Sequence, residues 1–262
     1  CSMADMAAIE QVEQCWDALG RVVPVEETVM PAVYVNSAAI LKAFCGEHGG
    51  LTCTSSNARK VIEWSWARRE KILFFPDEHL GRNTANKMGI PREQMIVWDP
   101  YMPRGGNSVE AIQRAKLILW KGHCSVHQMF QPSHIDYFRK QHPEVKVIVH
   151  PECHEDVVNK ADLVGSTEYI IRTITAAPAG TTWAVGTELN LVNRLKHEQT
   201  DKKVFFLSST VCQCATMYRI DAPHLCWALE NLADGHVVNR IVVPDDEKQL
   251  AKVALDRMMA LS

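Results

Sequence analysis

The sequence predicts an α/β protein made of three-layer αβα modules with parallel β-sheets. Short apolar runs rich in β-branched and aromatic residues alternate with amphipathic helical patterns along the 262 residues. This alternation is typical of parallel sheets, because a crossover helix connects each strand to the next. The chain also contains a weak internal repeat, and a cysteine follows each copy at the end of a strand-like run.

The strands are predicted from short apolar runs, and the helices from apolar residues that recur with a period near 3.6. The predicted strands are 29–35, 51–54, 71–75, 95–98, 117–120, 145–149, 182–185, 204–207 and 237–243. The predicted helices are 57–69, 132–141, 168–176, 188–198, 224–233 and 246–261. The turn at 79–82 is interpreted as structural.

The composition is that of a globular protein with a large core, at 47% hydrophobic and 23% charged residues. The formal charge of -3 and the lack of a polybasic run give no reason to expect a nucleic-acid partner. No apolar run approaches the roughly 20 residues of a membrane span, so no membrane partner is expected. Nine dispersed cysteines favour a reducing compartment, and we expect a cytoplasmic location.

The internal repeat consists of strand, helix and strand units whose strand ends carry polar residues. The first copy reads VYVNSAAILKAF, LTCTSSNARKVI and ILFFPDEHLGRNTA, and the second reads VIVHPECHEDVVNKADLVGSTEYIIRTI and TWAVGTELNLVNRL. Asn36 corresponds to Glu152, and Ser55 corresponds to Thr167. Cys124 follows the first copy and Cys214 follows the second.

Cys1 opens the chain without an initiator methionine and without a preceding strand. We expect it to follow a third copy that is absent from this sequence, so that the first module is largely missing. The predicted division is a remnant or linker at 1–27, a second module at 28–124 and a third at 125–214. The segment 215–262 would complete the first module.

Three cysteines, one per module, could converge if the modules surround a pseudo-threefold axis. Three thiolates suit an iron–sulfur cluster and leave one iron open to substrate. The spacing is not specific, and buried structural cysteines are the alternative. Cys212 and Cys214 are both candidates for the third ligand. Buried structural roles are expected for Cys15, Cys45, Cys153 and Cys226, while Cys53 is left open.

His127, His150 and Glu152 lie near predicted strand ends and are candidates for acid–base chemistry. A nucleophilic pair of Cys124 with a histidine is an alternative. Ser55–Ser56 and Ser166–Thr167 precede predicted helices. They fit either simple helix N-caps or sites for a carboxylate or phosphate.

Several motifs, taken in order, resemble the quinolinate synthase family. They are CSMADMA, YVNSAA, TCTSSNA, FFPDEHLGRNTA, GHCSVH, VHPEC, DLVGSTEYII and CQCATM. The resemblance implies three αβα modules around one 4Fe-4S cluster. It also implies condensation of iminoaspartate with dihydroxyacetone phosphate to quinolinate, phosphate and water in NAD biosynthesis. L-aspartate oxidase is the expected supplier of iminoaspartate.

The resemblance also implies roles for individual residues. The cluster ligands are Cys1, Cys124 and Cys214, because Cys214 and Met217 match the Cys-x-x-Met pattern of the family's last ligand. The residues implied in catalysis are Tyr34, His150 and Glu152. The residues implied in substrate binding are Asn36, Ser55, His127, Ser166 and Thr167.

The family also supplies a His-x-Tyr pair and a serine upstream of its first cysteine, and these do not occur in this sequence. We therefore expect this chain alone to be impaired. Three further interpretations stay open: another iron–sulfur hydro-lyase, a non-enzymatic iron–sulfur or redox sensor, and a zinc site.

Overall fold

The computed structural model describes residues 1–210 and 214–261, and its first sheet has five parallel strands in the order β2-β1-β3-β5-β4. The strands are β1 (Val29–Tyr34), β2 (Leu51–Cys53), β3 (Lys71–Phe75), β4 (Met95–Trp98) and β5 (Leu117–Trp120). The helices of this region are α1 (Ile9–Gly20), α2 (Val25–Thr28), α3 (Ala39–Glu47), α4 (Ala58–Trp66), α5 (Glu78–Lys87) and α6 (Val109–Arg114).

The side chains of the first sheet alternate between two separate cores, as the pleat of a strand requires. Val33, Leu73 and Trp120 face one core, which is completed by residues of α1, α3 and α6. Phe74 and Leu119 face the other core, which α4 and α5 cover. Helices therefore cover both faces of the sheet, which confirms the predicted three-layer α/β/α arrangement.

The second sheet has four parallel strands in the order β7-β6-β8-β9. Its strands are β6 (Lys146–Val149), β7 (Leu163–Val164), β8 (Thr182–Gly186) and β9 (Lys203–Phe206). The helices here are α7 (Ser125–Gln128), α8 (Pro132–Gln141), α9 (Glu155–Lys160), α10 (Thr167–Thr175) and α11 (Leu189–Glu198). One core lies against α8 and α9 and the other against α10 and α11.

The two sheets share one strand order, which agrees with the internal repeat. In each, the first strand of the repeat pairs with the second on one side and the third on the other. The next strand, β5 or β9, adds beside the third. The first sheet differs by the extra edge strand β4. The carboxyl ends of the central strands therefore carry the equivalent turns in both sheets.

The segment 1–27 contributes α1 to the first core, through Val12, Trp16 and Leu19. Helix α1 was not predicted from the sequence. Helices α3 and α5 were predicted without bounds, as the helices that follow the first and third strands of the repeat. The turn predicted at 79–82 lies within α5, whose first residues are capped by Asp77. Short 3₁₀ segments lie at Ser2–Met6, Arg92–Gln94, Pro103–Gly106 and Met217–Arg219.

The C-terminal region contains α12 (Ala222–Ala233) and α13 (Asp245–Met259). Helix α13 packs against α3 and β2, and the Arg257 Nη1 donates to the Gly50 carbonyl at 2.6 Å. The strand predicted at 237–243 is wrong. That stretch has no strand partner in the described structure, and Val237 and Ile241 are exposed. The module boundaries and the pseudo-threefold arrangement stay predictions.

No helix in the described ranges has the length and apolar character needed to cross a membrane.

Candidate active site

A cavity of about 510 Å³ lies where the carboxyl ends of the two sheets approach each other. It is lined by turns that follow β1, β5, β6, β7, β8 and β9, since ligand sites of parallel α/β sheets form at strand carboxyl ends. The lining residues are Cys1, Tyr34, Asn36, Cys124, Val126, His127, His150, Glu152, Thr167, Thr187, Glu188, Asn190, Leu191, Arg194, Cys214, Thr216 and Met217.

Most residues implicated by the sequence line this one cavity. Those inside it are Cys1, Cys124, Cys214, Tyr34, His150, Glu152, Asn36, His127 and Thr167. Ser166 is not among the lining residues, and its Oγ accepts the Tyr169 N–H at 3.3 Å as the N-cap of α10. Ser55 lines a separate, smaller cleft of about 160 Å³. Cys212 lies outside the described residues.

The centre of the cavity is an ion pair between His127 and Glu152. His127 Nδ1 lies 2.8 Å from Glu152 Oε2, and His127 Nε2 lies 3.2 Å from Thr187 Oγ1. Both side chains are buried. Burial alone would lower the pKa of His127, but the Glu152 carboxylate and the Cys124 side chain raise it to about 10. His127 is therefore a cation at neutral pH that donates from both ring nitrogens.

His150 stacks on His127 with ring centroids 4.5 Å apart and an interplanar angle of 15°. Its Nδ1 accepts the Glu152 backbone N–H at 3.3 Å. Burial and the neighbouring His127 lower the pKa of His150 to about 3, although Glu152 opposes this. His150 is therefore neutral at pH 7, and its stacking on a cationic imidazole does not place two positive charges together.

Glu152 remains ionised although only 3% of it is exposed. Burial would raise its pKa, but the interactions with His150, His127 and Tyr34 together lower the pKa to about 2. Because His150 is neutral at pH 7, we attribute the effect at that pH mainly to His127. The Tyr34 phenol hydrogen-bonds Glu152, and burial together with that carboxylate raises the pKa of Tyr34 far above its usual value.

The N-terminal segment reaches the cavity because Met6 anchors it beside β5. The Trp120 Nε1 donates to the Met6 carbonyl at 2.7 Å, and Met3 is buried. Cys1 directly precedes this anchored segment and is exposed on the cavity side. The anchor accounts for the presence of a residue from the start of the chain at a site built from strand ends.

The three cavity cysteines differ from the buried cysteines. Cys1 is exposed, and Cys124 and Cys214 are partly buried, so each thiol can meet a ligand in the cavity. Burial would raise the pKa of Cys214, but hydrogen bonds with the Thr216 hydroxyl and the backbone N–H groups of Thr216 and Met217 lower it. A lowered pKa favours the thiolate, which is the form that binds metals. These donors fit a thiolate-bound metal group.

Among the other cysteines that the structure describes, all but one have the surroundings of structural thiols. Cys15, Cys45 and Cys153 are buried, as predicted, and Cys53 is also buried. Burial raises the pKa of each. The prediction for Cys226 is wrong, because it is exposed on α12 and its Sγ lies 3.3 Å from Glu230 Oε1.

A second donor arrangement shares one of the thiols. Ligand atoms of Cys124, His127 and Glu152 all lie within 4.8 Å of one another. A thiolate, an imidazole and a carboxylate together suit a single divalent ion such as zinc. Here the His127 imidazole is already hydrogen-bonded to the Glu152 carboxylate, so binding of a metal ion would have to break that ion pair.

Sequence reasoning did not assign a role to several lining residues from the turn after β8 and the start of α11. Glu188 caps α11, since its Oε2 accepts the Asn190 N–H at 2.8 Å. Thr187 contacts His127, and Arg194 lies nearly two turns further along, within α11. Their position directly after the third strand of the repeat is the sequence feature that could have indicated a role in the site.

The fold and the cavity define an α/β protein with a thiol-lined acid–base site at the meeting point of two parallel sheets. The family model described as "NadA: Quinolinate synthetase A protein" matches residues 1–260. The chain belongs to the quinolinate synthase family. It is 59% identical over its whole length to a quinolinate synthase of Rhodopirellula baltica, 67% of which is covered. It is 56% identical to those of Herpetosiphon aurantiacus and Acidobacterium capsulatum, with all of this chain and 70% of each relative covered.

Proposed function

We propose that this chain carries the active site of a quinolinate synthase. The reaction would condense iminoaspartate with dihydroxyacetone phosphate to form quinolinate, phosphate and water in NAD biosynthesis. One observation carries the proposal. The three thiols and the buried set of Tyr34, His127, His150 and Glu152 share a single cavity. The family to which the chain belongs supports the choice of substrates.

We assign the cluster ligands to Cys1, Cys124 and Cys214, which fit a thiolate-held group by their exposure and their shared cavity. A 4Fe-4S cluster held there would supply a Lewis-acidic iron for a substrate oxygen. We assign the remaining chemistry to the protein side chains. It consists of proton transfer and the binding of anionic substrate groups.

Proton acceptors and donors are already separated in the cavity at neutral pH. Glu152 is ionised and His150 is neutral, so both can accept a proton from a substrate carbon or oxygen. Tyr34 is a neutral phenol and His127 is a cation, so both can donate. A condensation with loss of water requires both kinds of transfer, and groups with divergent pKa values supply them side by side.

His127 also has a positioning role in this proposal. Its two ring nitrogens face Glu152 and Thr187, so it fixes the Glu152 carboxylate relative to the turn that follows β8. The role that the family resemblance implies for His127, substrate binding, is compatible with this geometry because the ring also lines the cavity.

Anionic parts of the substrates would be held by polar groups around the same space. Thr167 is the first residue of α10, where free backbone N–H groups and the helix dipole favour a carboxylate or phosphate. Asn36 lines the cavity at the end of the first sheet. We also propose Ser55 and Ser166 as substrate contacts. Each would have to lie closer to the cavity than it does in this structure. L-aspartate oxidase is the proposed source of iminoaspartate.

The test is iron and acid-labile sulfide per chain after anaerobic reconstitution, followed by a quinolinate assay. We expect about four irons and four sulfides. Cys1→Ser, Cys124→Ser and Cys214→Ser should each lower both. The matched controls are Cys226→Ser, an exposed thiol outside the cavity, and Cys212→Ser. Zinc without sulfide would favour the Cys124, His127 and Glu152 site instead, and a full cluster in Cys124→Ser would contradict the assignment.

A further inference from the structure

Asp77 is a fully buried carboxyl group beside the Cys124 turn that does not line the cavity. It follows β3 after Pro76, and its Oδ1 accepts the Leu80 N–H at 2.6 Å as the N-cap of α5. Its second oxygen, Oδ2, is buried without a hydrogen-bond partner of normal geometry among the described residues. A buried polar atom without a partner is rare in native proteins and calls for an explanation.

The turn that contains Asp77 touches the turn that contains Cys124. Strands β3 and β5 are parallel neighbours, with Phe74 opposite Leu119, so their carboxyl ends lie side by side. The Glu78 N–H donates to the Gly122 carbonyl at 2.9 Å. A Cβ on Gly122 would lie 2.2 Å from the Pro76 carbonyl oxygen, so only glycine permits this approach.

The Asp77 carboxyl group also interacts with the backbone of Cys124. Burial and the Glu152 carboxylate raise the pKa of Asp77, whereas the backbone N–H groups of Leu80 and Cys124 act in the opposite direction and lower it. Cys124 is the N-cap of α7, and its carbonyl accepts the Gln128 N–H at 3.1 Å. The direction of the Cys124 peptide therefore sets both where its thiol points and where α7 begins.

Helix capping alone does not account for the burial of Asp77. The equivalent residue in the second sheet is Glu188, which also caps the helix that follows the third strand of the repeat. Glu188 does so while only partly buried, and it faces the cavity. Burying a carboxyl group costs free energy that a partly exposed cap avoids.

We propose that Asp77 is a positioning residue that holds the Cys124 turn, and thereby directs the Cys124 thiol into the cavity. The Leu80 N–H donates to Oδ1, and the Cys124 N–H is the other backbone donor that acts on this carboxyl group. The inference rests on the proposed function only where Cys124 is treated as a cluster ligand. The position of the thiol itself is independent of that role.

The variant that tests this is Asp77→Asn. Its side-chain oxygen can still accept from Leu80 N–H, so the cap of α5 is retained. Its amide nitrogen replaces one carboxyl oxygen and can only donate, so it cannot accept from the Cys124 N–H. We expect the Cys124 turn to shift while the fold persists. Asp77→Ser, which caps helices well but lacks the second oxygen, is a second variant in case Asp77→Asn fails to fold.

The first readout is the alkylation rate of Cys124 in the metal-free chain, resolved by peptide mass spectrometry. Cys214 in the same sample is the internal reference. We expect the rate of Cys124 relative to Cys214 to change by about threefold or more in Asp77→Asn, because thiol reactivity follows exposure and surroundings. Ser108→Ala removes the cap of α6 on the same sheet and should leave this ratio unchanged.

The second readout is the visible absorption spectrum after anaerobic reconstitution. Asp77→Asn should lower the iron content or alter the spectrum, while Ser108→Ala should do neither. An alkylation ratio and a spectrum that both match the unsubstituted chain would show that Asp77 is only a cap. Failure of the proposed function would look different, because the unsubstituted chain itself would then take up no iron and sulfide.

Discussion

Glu152 Oε2 lies 2.8 Å from His127 Nδ1, so the turn after β6 and the short helix α7 meet through a buried ion pair. The two residues come from different parts of the chain, since α7 follows the first sheet and Glu152 follows the first strand of the second. The pair fixes the charge states on which the proposed chemistry depends. It also makes the site sensitive to single substitutions.

Removing the charge of Glu152 should slow turnover without loss of iron. In Glu152→Gln, the proposed proton acceptor is lost, and kcat should fall by about 10²- to 10⁴-fold. The measurements are kcat for quinolinate formation and iron per chain. Glu63→Gln, which alters an exposed carboxylate on α4, should change neither. Loss of iron in Glu152→Gln would show that Glu152 supports the metal group instead.

Removing His127 should destabilise the fold, because it leaves the Glu152 carboxylate buried without its cation. We expect His127→Ala to lower the free energy of unfolding by about 3–5 kcal/mol. Adding Glu152→Gln to His127→Ala should restore part of this loss. Urea denaturation measures both. Arg59→Gln breaks the exposed pair with Glu63 and should cost less than about 1 kcal/mol.

Asn83 joins α5 to the second sheet. Its Nδ2 donates to the carbonyls of Pro151 and Cys153, each at 2.8 Å. Asn83→Ala would leave two buried carbonyls without this donor, and we expect a loss of about 2–4 kcal/mol in urea denaturation. Asn86→Ala, which removes a bond to the Glu155 side chain, is the control and should cost less. Equal losses of stability in the two variants would mean that the two hydrogen bonds of Asn83 stabilise the fold no more than the single bond of Asn86 does.

Gly122 should tolerate no side chain. A Cβ there would lie 2.2 Å from the Pro76 carbonyl oxygen, so Gly122→Ala must push the two turns apart. We expect a lower Tm and weaker iron uptake. Gly20→Ala is the matched control, because its Cβ would meet only Val25 Cγ1 at 3.4 Å. A Tm for Gly122→Ala within error of that control would refute the close approach.

His79 should make stability depend on pH. Burial, together with His154, Arg82 and His123, lowers its pKa to about 4, although Glu78 opposes this. In the unfolded chain its pKa is about 6.5. Between these values only the unfolded state takes up the proton, so stability present above pH 6.5 is lost as the pH falls towards 4. The loss should be at most about 3 kcal/mol.

The measurement is urea denaturation at pH 7.5 and pH 5 for the unsubstituted chain and for His79→Leu. The drop between the two pH values should be smaller in the variant, because its side chain does not titrate. His197→Gln changes an exposed histidine and should keep the full drop. An unchanged drop in His79→Leu would show that other groups cause it.

The sequence predicted the sheets well because buried parallel strands form apolar runs with clear ends. The runs at 71–75, 95–98 and 117–120 match β3, β4 and β5. Helices α3 and α5 were predicted only as unbounded helices of the repeat, and part of α5 was interpreted as the turn at 79–82 because it immediately follows a strand-end motif. The run 237–243 looked like a strand, but β-rich composition specifies a strand only when another strand pairs with it.

Part of the cavity lining was also predictable from the residues, because parallel strands place their carboxyl ends together, whereas the roles of Tyr34 and Asn36 were implied by the family resemblance. Which of these side chains contact each other inside the cavity was not predictable. Nothing in the spacing shows that His127 contacts Glu152 rather than Cys214, since that depends on how the two sheets approach each other. Cys226 shows the same limit, because burial of a thiol is a property of the tertiary structure and not of its residue type.

The three cavity thiols come from the start of the chain, from its middle and from beyond the second sheet. In an unfolded chain, closing such long loops is entropically unfavourable, so we expect these ligands to gather only once both sheets exist. Binding of metal there would therefore be linked to completion of the tertiary structure. The rate of iron incorporation in a refolding experiment would then measure the rate of the last step of folding.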